Sequence, residues 1–313
     1  MKMPLETRAP SSRPRVTIVM PVYGRADLTE GCLVSLSRTY DKDPSYELIV
    51  VDNGSPDATA RLLELRAGFP PYPRTLRNVK NLGFARACNQ GAAVAAGEFL
   101  LFLNNDTEVR EEWLAPLLRT LESDPAVASA GSKLLYPQGT IQHAGVLLAE
   151  IEEGDPLRAV HVYSGEPSGL AAANMPRSYQ ALSAACLLVR RSAFESVGGF
   201  DEGYWNGYED IDLCLRFGEK GWLNIYQPES TVIHYESESG PERFAKVREN
   251  IERLHRRWLG KVAADVKVDV AGVCLDSGAG KVRSYRPAGV RAAPGLFVSE
   301  RSTTSSGERS SSR

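Results

Sequence analysis

The sequence predicts an α/β protein built on a mostly parallel central sheet with helices on both faces, and three observations predict it. Short apolar runs that do not alternate with polar residues, such as 16–20, 48–51 and 99–103, recur between stretches of helical spacing. Strands covered on both faces read this way. Hydrophobic residues make up 42% of the 313 residues, charged residues 24% and aromatics 8%, which is enough apolar material for a sizeable core. Lys plus Arg total 37 against 39 Asp plus Glu, a net charge of −2, so bulk charge does not select nucleic acid as a partner.

Each element can be justified in order. Residues 1–15 are polar and broken by Pro4, Pro10 and Pro14, and read as a flexible arm. A first strand over 16–20 stops at Pro21, and a helix over 28–36 begins at Asp27. The second strand, 48–51, runs into Asp52-Asn53-Gly54-Ser55, followed by a helix over 57–66. An extended piece at 75–79 leads to a small-residue helix over 84–96. The strand at 99–103 ends in Asn104-Asn105-Asp106, and 111–121 has helical spacing.

Beyond residue 127 the pattern loosens. A strand at 129–135 precedes irregular loop to about 178, then a strand at 182–189 and a short helix at 192–197. Residues 209–220 form a helix, followed by strand pieces at 223–226 and 231–233. Phe244, Val247, Ile251, Leu254 and Trp258 recur at three- and four-residue spacing, an amphipathic helix. Residues 299–313 are a Ser/Thr/Arg tail with the composition of disorder.

Several chemistries drop out at once. Five cysteines never pair as CxxC and four histidines show no HxxxH spacing, so neither a disulfide frame nor a zinc motif is written into the chain. No apolar run approaches the ~18 residues of a membrane span, and residues 1–15 lack the apolar core of a secretion signal. A cytoplasmic location is the expectation.

Ligands of open parallel sheets bind beyond the carboxyl ends of the strands. Three such ends carry polar residues: Pro21-Val22-Tyr23-Gly24-Arg25, Asp52-Asn53-Gly54-Ser55 and Asn104-Asn105-Asp106. Singly each reads as a turn; together they point to a site on one rim. GxGxxG and GxxxxGK[ST] are both absent, so phosphates need another holder, and Asp106 with Mn²⁺ or Mg²⁺ would serve.

The ordered set Pro21-Val22-Tyr23, Val51-Asp52-Asn53-Gly54-Ser55, Asn81-x-Gly83 with Asn89-x-Gly91, Asn104-x-Asp106, Gly198-Gly199-Phe200-Asp201-Glu202 and Glu209-Asp210-x-Asp212-Leu213 resembles family-2 glycosyltransferases of the GT-A fold. The nearest likeness is to bacterial surface-polysaccharide transferases, including the rhamnosyltransferase-like group. The resemblance covers about residues 16–234. It implies a catalytic domain over 16–240, a helix at 241–261 packed on it, and an extension over 262–313.

It also implies roles. Pro21, Val22, Tyr23 and Asp52 would line the nucleotide. Asn81, Gly83 and Asn89 would run beside the diphosphate and sugar of a UDP- or dTDP-linked donor, with Asn105 on the same side; a tightly packed small-residue helix is the other reading of that segment. Asp106 would be the principal ligand of a divalent cation, with His234 near it. Asp210 would be the general base, Glu209 would orient a sugar, and Trp205 and Tyr204 would form an acceptor platform, core packing being the alternative for the tyrosine.

Two residues depart from the family pattern: Asn104 stands where the first carboxylate is usual, and Cys88 where many relatives carry Arg, with Arg86 the nearest substitute. They leave open a non-catalytic nucleotide-sugar or glycan-binding module. A sugar-1-phosphate nucleotidyltransferase would need a basic Gly-rich loop after the first strand, which is missing. The C-terminal helix carries seven basic residues over 243–261, which suits either a solvated face or peripheral contact with anionic lipid at the inner membrane face. Leu254-His255-Arg256-Arg257-Trp258 lacks the glutamine of the QxxRW of processive relatives, so addition of one residue to a glycan or lipid-linked acceptor is expected. Gln142-His143-Ala144-Gly145 recurs in similar sequences with no chemical role attached to its histidine.

Overall fold

A computed structural model describes residues 14–41, 45–151, 156–235, 245–268, 274–276 and 283–284. Every residue of β1 (Val16–Val22) is buried, and nearly every residue of β2 (Tyr46–Asp52). The crossover helices account for this, because they cover both faces. α1 (Ala26–Thr39) brings Cys32, Leu33 and Leu36 against Ile18, Met20, Leu48 and Val50. On the opposite face Val19, Ile49 and Val51 meet Ala85, Ala87 and Cys88 of α3 (Phe84–Ala93). Successive strand residues point to opposite faces, so one apolar run feeds two cores.

α2 (Thr59–Arg66) leads to β3 (Arg74–Arg77), and β4 (Phe99–Leu103) follows α3. The strands β3, β2, β1 and β4 lie side by side and all pair in parallel. After β5 (Thr107–Val109), α4 (Leu114–Ser123) and β6 (Val127–Leu135), the chain forms β7 (Ile141–His143), β8 (Val146–Ile151), β9 (Arg158–His161) and β10 (Arg177–Tyr179). β11 (Cys186–Arg190) then inserts antiparallel between β4 and β6. α5 (Arg191–Ser196) and α6 (Glu209–Glu219) precede β12 (Leu223–His234), which runs parallel to β6 and antiparallel to β5. α7 (Val247–Trp258) follows, and β13 (Val266–Val268) pairs in parallel with β8 in a second, smaller sheet.

Three local expectations need correction. The stretch expected as loop up to residue 178 holds β7, β8, β9 and β10; β8 and β10 pair with distant strands that local patterning does not display, while β7 and β9 pair with the strands just before them. The two expected strand pieces at 223–226 and 231–233 are one strand, β12, with an irregularity between Gln227 and Thr231. α1 begins at Ala26 rather than Asp27: Arg25 is left-handed (φ 53°), and the Ala26 N–H donates to Asp57 Oδ2 at 3.0 Å, so the cap comes from the next strand end.

α3 packs tightly, as small residues allow. A Cβ on Gly91 would lie 2.4 Å from Val19 Cγ1, so the glycine is needed for contact with β1. α7 buries Asn250, Leu254 and Trp258 while Arg248 stays in solvent. Among the described residues no helix is long and apolar enough to cross a membrane. Residues 1–13 of the arm expected over 1–15, and most of the extension expected over 262–313, lie outside the described residues.

Candidate active site

Parallel pairing aligns the carboxyl ends of β1, β2 and β4, with Val22 opposite Asp52. A cavity of about 320 Å³ opens beyond them. Pro21, Val22 and Tyr23 enter it from β1, Asn53 from β2, and Asn104, Asn105 and Asp106 from β4. Asn81 and Gly83 form another part of the wall, as do Trp205, Glu209, Asp210 and His234.

The pairing of β5 with β12 brings His234 to Asp106. His234 lies opposite Thr107, and the Tyr235 N–H donates to Asp106 O at 2.9 Å. His234 Nε2 thereby sits 3.1 Å from Asp106 Oδ1 and 3.2 Å from Asn104 Nδ2, with His234 and Asp106 both buried. Two adjacent ligands on one octahedral cation at ~2.1 Å stand about 3.0 Å apart, so the spacing fits a shared divalent ion. Carboxylate with imidazole suits Mn²⁺. Asn104 Oδ1 is buried with no hydrogen-bond partner among the described residues. Among those residues no group of three or more His, Cys, Asp or Glu side chains could hold a metal, so a cation at this pair would need further ligands from elsewhere. An incomplete protein shell is usual where substrate phosphates complete the coordination.

Asp210 is the second residue of α6, which follows Tyr208 in the left-handed region (φ 72°). The carboxylate accepts the Ala184 N–H at 3.0 Å on Oδ2 and the Ile211 N–H at 2.9 Å on Oδ1. Burial raises its pKa above the ordinary carboxylate value, and those two N–H donors oppose the rise without cancelling it. The side chain keeps partial access to the cavity. A carboxylate held in place and made more basic is suited to taking a proton.

Asp52, Asn89 and Tyr204 do not line the cavity. Asp52 is fully buried: Oδ1 accepts the Ser55 N–H at 2.9 Å, and Oδ2 lies 3.4 Å from Arg77 Nε. Its neighbour Asn53 reaches the cleft instead, donating through Nδ2 to Asn81 Oδ1 at 2.8 Å. Asn89 grips the loop before the Glu-Asp pair, donating to Phe200 O and accepting the Phe200 N–H, each at 2.9 Å. Tyr204 is core, with the Arg253 guanidinium over its ring. Gly83 has φ 87° and would place a Cβ 2.7 Å from Trp205 O, so it lets α3 and the Trp205 loop close on each other. Cys88 is fully buried, and burial pushes its thiol pKa well up, leaving it nothing to offer a phosphate.

Sequence reading missed Gln142, His161 and Ser183, which also line the cavity. Gln142 had a signal, since it opens the motif whose histidine had no role. His161 and Ser183 had none.

The family model for glycosyl transferase family 2 matches residues 17–198, and a model described as the N-terminal domain of galactosyltransferase matches residues 168–238. The chain is 34% identical over 235 residues to O-antigen biosynthesis protein RfbC of Myxococcus xanthus; the match takes in 72% of this chain but only 18% of that protein. It is 30% identical over 253 residues to an N-acetylglucosaminyl-diphospho-decaprenol L-rhamnosyltransferase of Mycobacterium tuberculosis, covering 72% of this chain and 78% of the relative. In solved structures, the fold matches a Pyrobaculum calidifontis mannosyltransferase in complex with GDP-Man and Mn²⁺, with a TM-score of 0.57, 19% identity, and 82% and 67% of the two chains covered. That match establishes the GT-A fold, and the more similar sequences carry the family. The chain belongs to glycosyl transferase family 2.

Proposed function

We propose that the chain is an inverting, non-processive glycosyltransferase that moves a sugar from a nucleotide-diphosphate donor to a hydroxyl of a glycan or lipid-linked glycan. One observation carries the reading: the Asp106–His234 pair and the Asp210 carboxylate face the same cavity at the strand ends. Asp106 and His234 would hold a divalent cation, Mn²⁺ in preference to Mg²⁺. Such a cation, when bound, neutralises charge gathering on a diphosphate leaving group.

The chain's own residues do the rest. Tyr23, Asn53 and Asn105 hold the donor at the ends of β1, β2 and β4. Trp205 offers an apolar ring to an acceptor sugar, with Lys246 Nζ 5.2 Å from its ring centroid. Asp210 takes the proton of the attacking hydroxyl, and a single base of this kind suits in-line displacement with inversion. The rhamnosyltransferase relative, whose name includes a diphospho-decaprenol, supports a lipid-linked acceptor. The neighbour with GDP-Man and Mn²⁺ supports the donor class and the ion.

A panel of nucleotide sugars assayed for Mn²⁺-dependent hydrolysis and transfer tests the reading. Turnover of one donor, lost on chelation, is expected. Binding of nucleotide sugar with no turnover of any donor and acceptor pair would make the chain a binding module instead.

A further inference from the structure

We propose that Gln142 is a positioning residue that locks His234 in the tautomer presenting its Nε2 lone pair to the cation. The proposal rests on the reading of Asp106 and His234 as a cation site. Gln142 sits on β7 and is 1% exposed, so both of its amide atoms must find partners inside the protein. Its Nε2 donates to the backbone oxygen of His234 at 3.1 Å. That bond fixes which way the amide faces, because the reversed amide would set two oxygens against each other.

The amide oxygen then lies 2.6 Å from His234 Nδ1. An amide oxygen carries no proton, so Nδ1 must donate. In the neutral ring the remaining nitrogen, Nε2, therefore bears the lone pair, and it is this atom that stands 3.1 Å from Asp106 Oδ1. A neutral imidazole left to itself populates both tautomers. With its proton on Nε2 the ring would donate to Asp106 and block the seat. Gln142 excludes that state with two hydrogen bonds to one residue, and it sets the ring's orientation at the same time.

The adjacent His143 gives the strand a second anchoring function. The Ser183 N–H donates to His143 Nε2 at 3.2 Å, and His143 Nδ1 donates to Ser132 O at 3.3 Å. Ser183 is next to Ala184, whose N–H holds Asp210. One dipeptide of β7 thus braces the cation ligand on one side and the segment beneath the base on the other. This gives the Gln-His pair a role that its sequence alone did not.

The test uses the full chain, ¹⁵N-labelled and metal-free, with the ring nitrogens of His234 read by long-range proton–nitrogen NMR. Mn²⁺ affinity is measured separately, in the presence of UDP, by electron paramagnetic resonance titration. The wild-type ring is expected to be protonated on Nδ1 alone. Gln142→Leu should give mixed tautomers and weaken Mn²⁺ binding about 10–100-fold, the usual loss for a supporting partner of a metal ligand. Gln142→Glu retains the acceptor and should restore the Nδ1 proton and most of the affinity. The His143 ring signals, set by other partners, verify that each variant is folded. A wild-type ring protonated on Nε2 overturns the proposal. So does a folded Gln142→Leu chain with an unchanged tautomer, whatever its affinity. If His234→Ala binds Mn²⁺ as the wild type does, the cation reading itself fails, and the metal-free tautomer still judges Gln142.

Discussion

Trp258 Nε1 donates to Asp212 Oδ1 at 2.9 Å, so the last residue of α7 is tied to the helix that begins with Glu209 and Asp210. Asp212 is fully buried and its other oxygen accepts Arg216 Nε at 2.8 Å. Of the three acidic residues that open α6, two face the cavity and this third one faces inward. Asp212→Ala leaves the buried Arg216 charge unpaired and should destabilise the chain by ~3–5 kcal/mol in chemical denaturation. An unchanged denaturation midpoint would refute this role.

Asp210→Asn should lower kcat by ~10²–10⁴-fold, the range for loss of a general base. The residues proposed to hold the nucleotide lie at the ends of β1, β2 and β4, away from α6, so UDP titration should be unchanged. Retained turnover would remove the catalytic assignment.

The pH dependence follows from the same residue. Burial holds the Asp210 pKa above the ordinary carboxylate value of ~3.9, and the base acts only when ionised. Activity is therefore complete above the raised pKa and falls as pH drops through it. The acid limb of kcat/KM should lie above ~3.9. A limb at or below that value would contradict the assignment.

Asp106→Ala should abolish Mn²⁺-dependent UDP binding and leave thermal unfolding in metal-free buffer nearly unchanged. Excess EDTA on the wild-type chain should reproduce the loss, and added Mn²⁺ should reverse it. Isothermal titration of UDP with and without Mn²⁺ decides the matter.

Asn250 carries the Trp205 loop, proposed above to meet the acceptor. Its Nδ2 donates to Asn206 O and Gly207 O at 2.9 and 3.0 Å, and its Oδ1 accepts the Trp205 N–H at 3.3 Å. Asn250→Ala should raise the acceptor KM about tenfold, equivalent to ~1.4 kcal/mol, with the donor KM unaffected. Equal changes in both would show a general structural role instead.

The N-terminal half was legible because its information is local. β4 occupies residues 99–103 as read from an unbroken apolar run, and the polar strand ends after β1 and β4 open into the cavity. β7, β8 and β9 were not legible: they are short, and β8 takes part of its order from β13, which comes far later in the chain. Asp52 illustrates a different limit. A polar residue at a strand end can cap its own turn or face a ligand, and composition does not distinguish them; here the carboxylate turns to the Ser55 N–H and Asn53 takes the cavity. Gln142 went unassigned because its role depends on His234, 92 positions later.

The irregularity in β12 determines more than the shape of a strand. Between Gln227, opposite Ser132, and Thr231, opposite Lys133, three residues are taken up with no register partner on β6, and every residue from Thr231 to His234 inherits its facing from that count. Deleting one of the three would slide the end of the strand by a single step, turning the imidazole to the reverse side of the sheet and lifting Val232 out of the core with it. Arithmetic in a stretch remote from the cavity thereby decides whether His234 meets Asp106 at all.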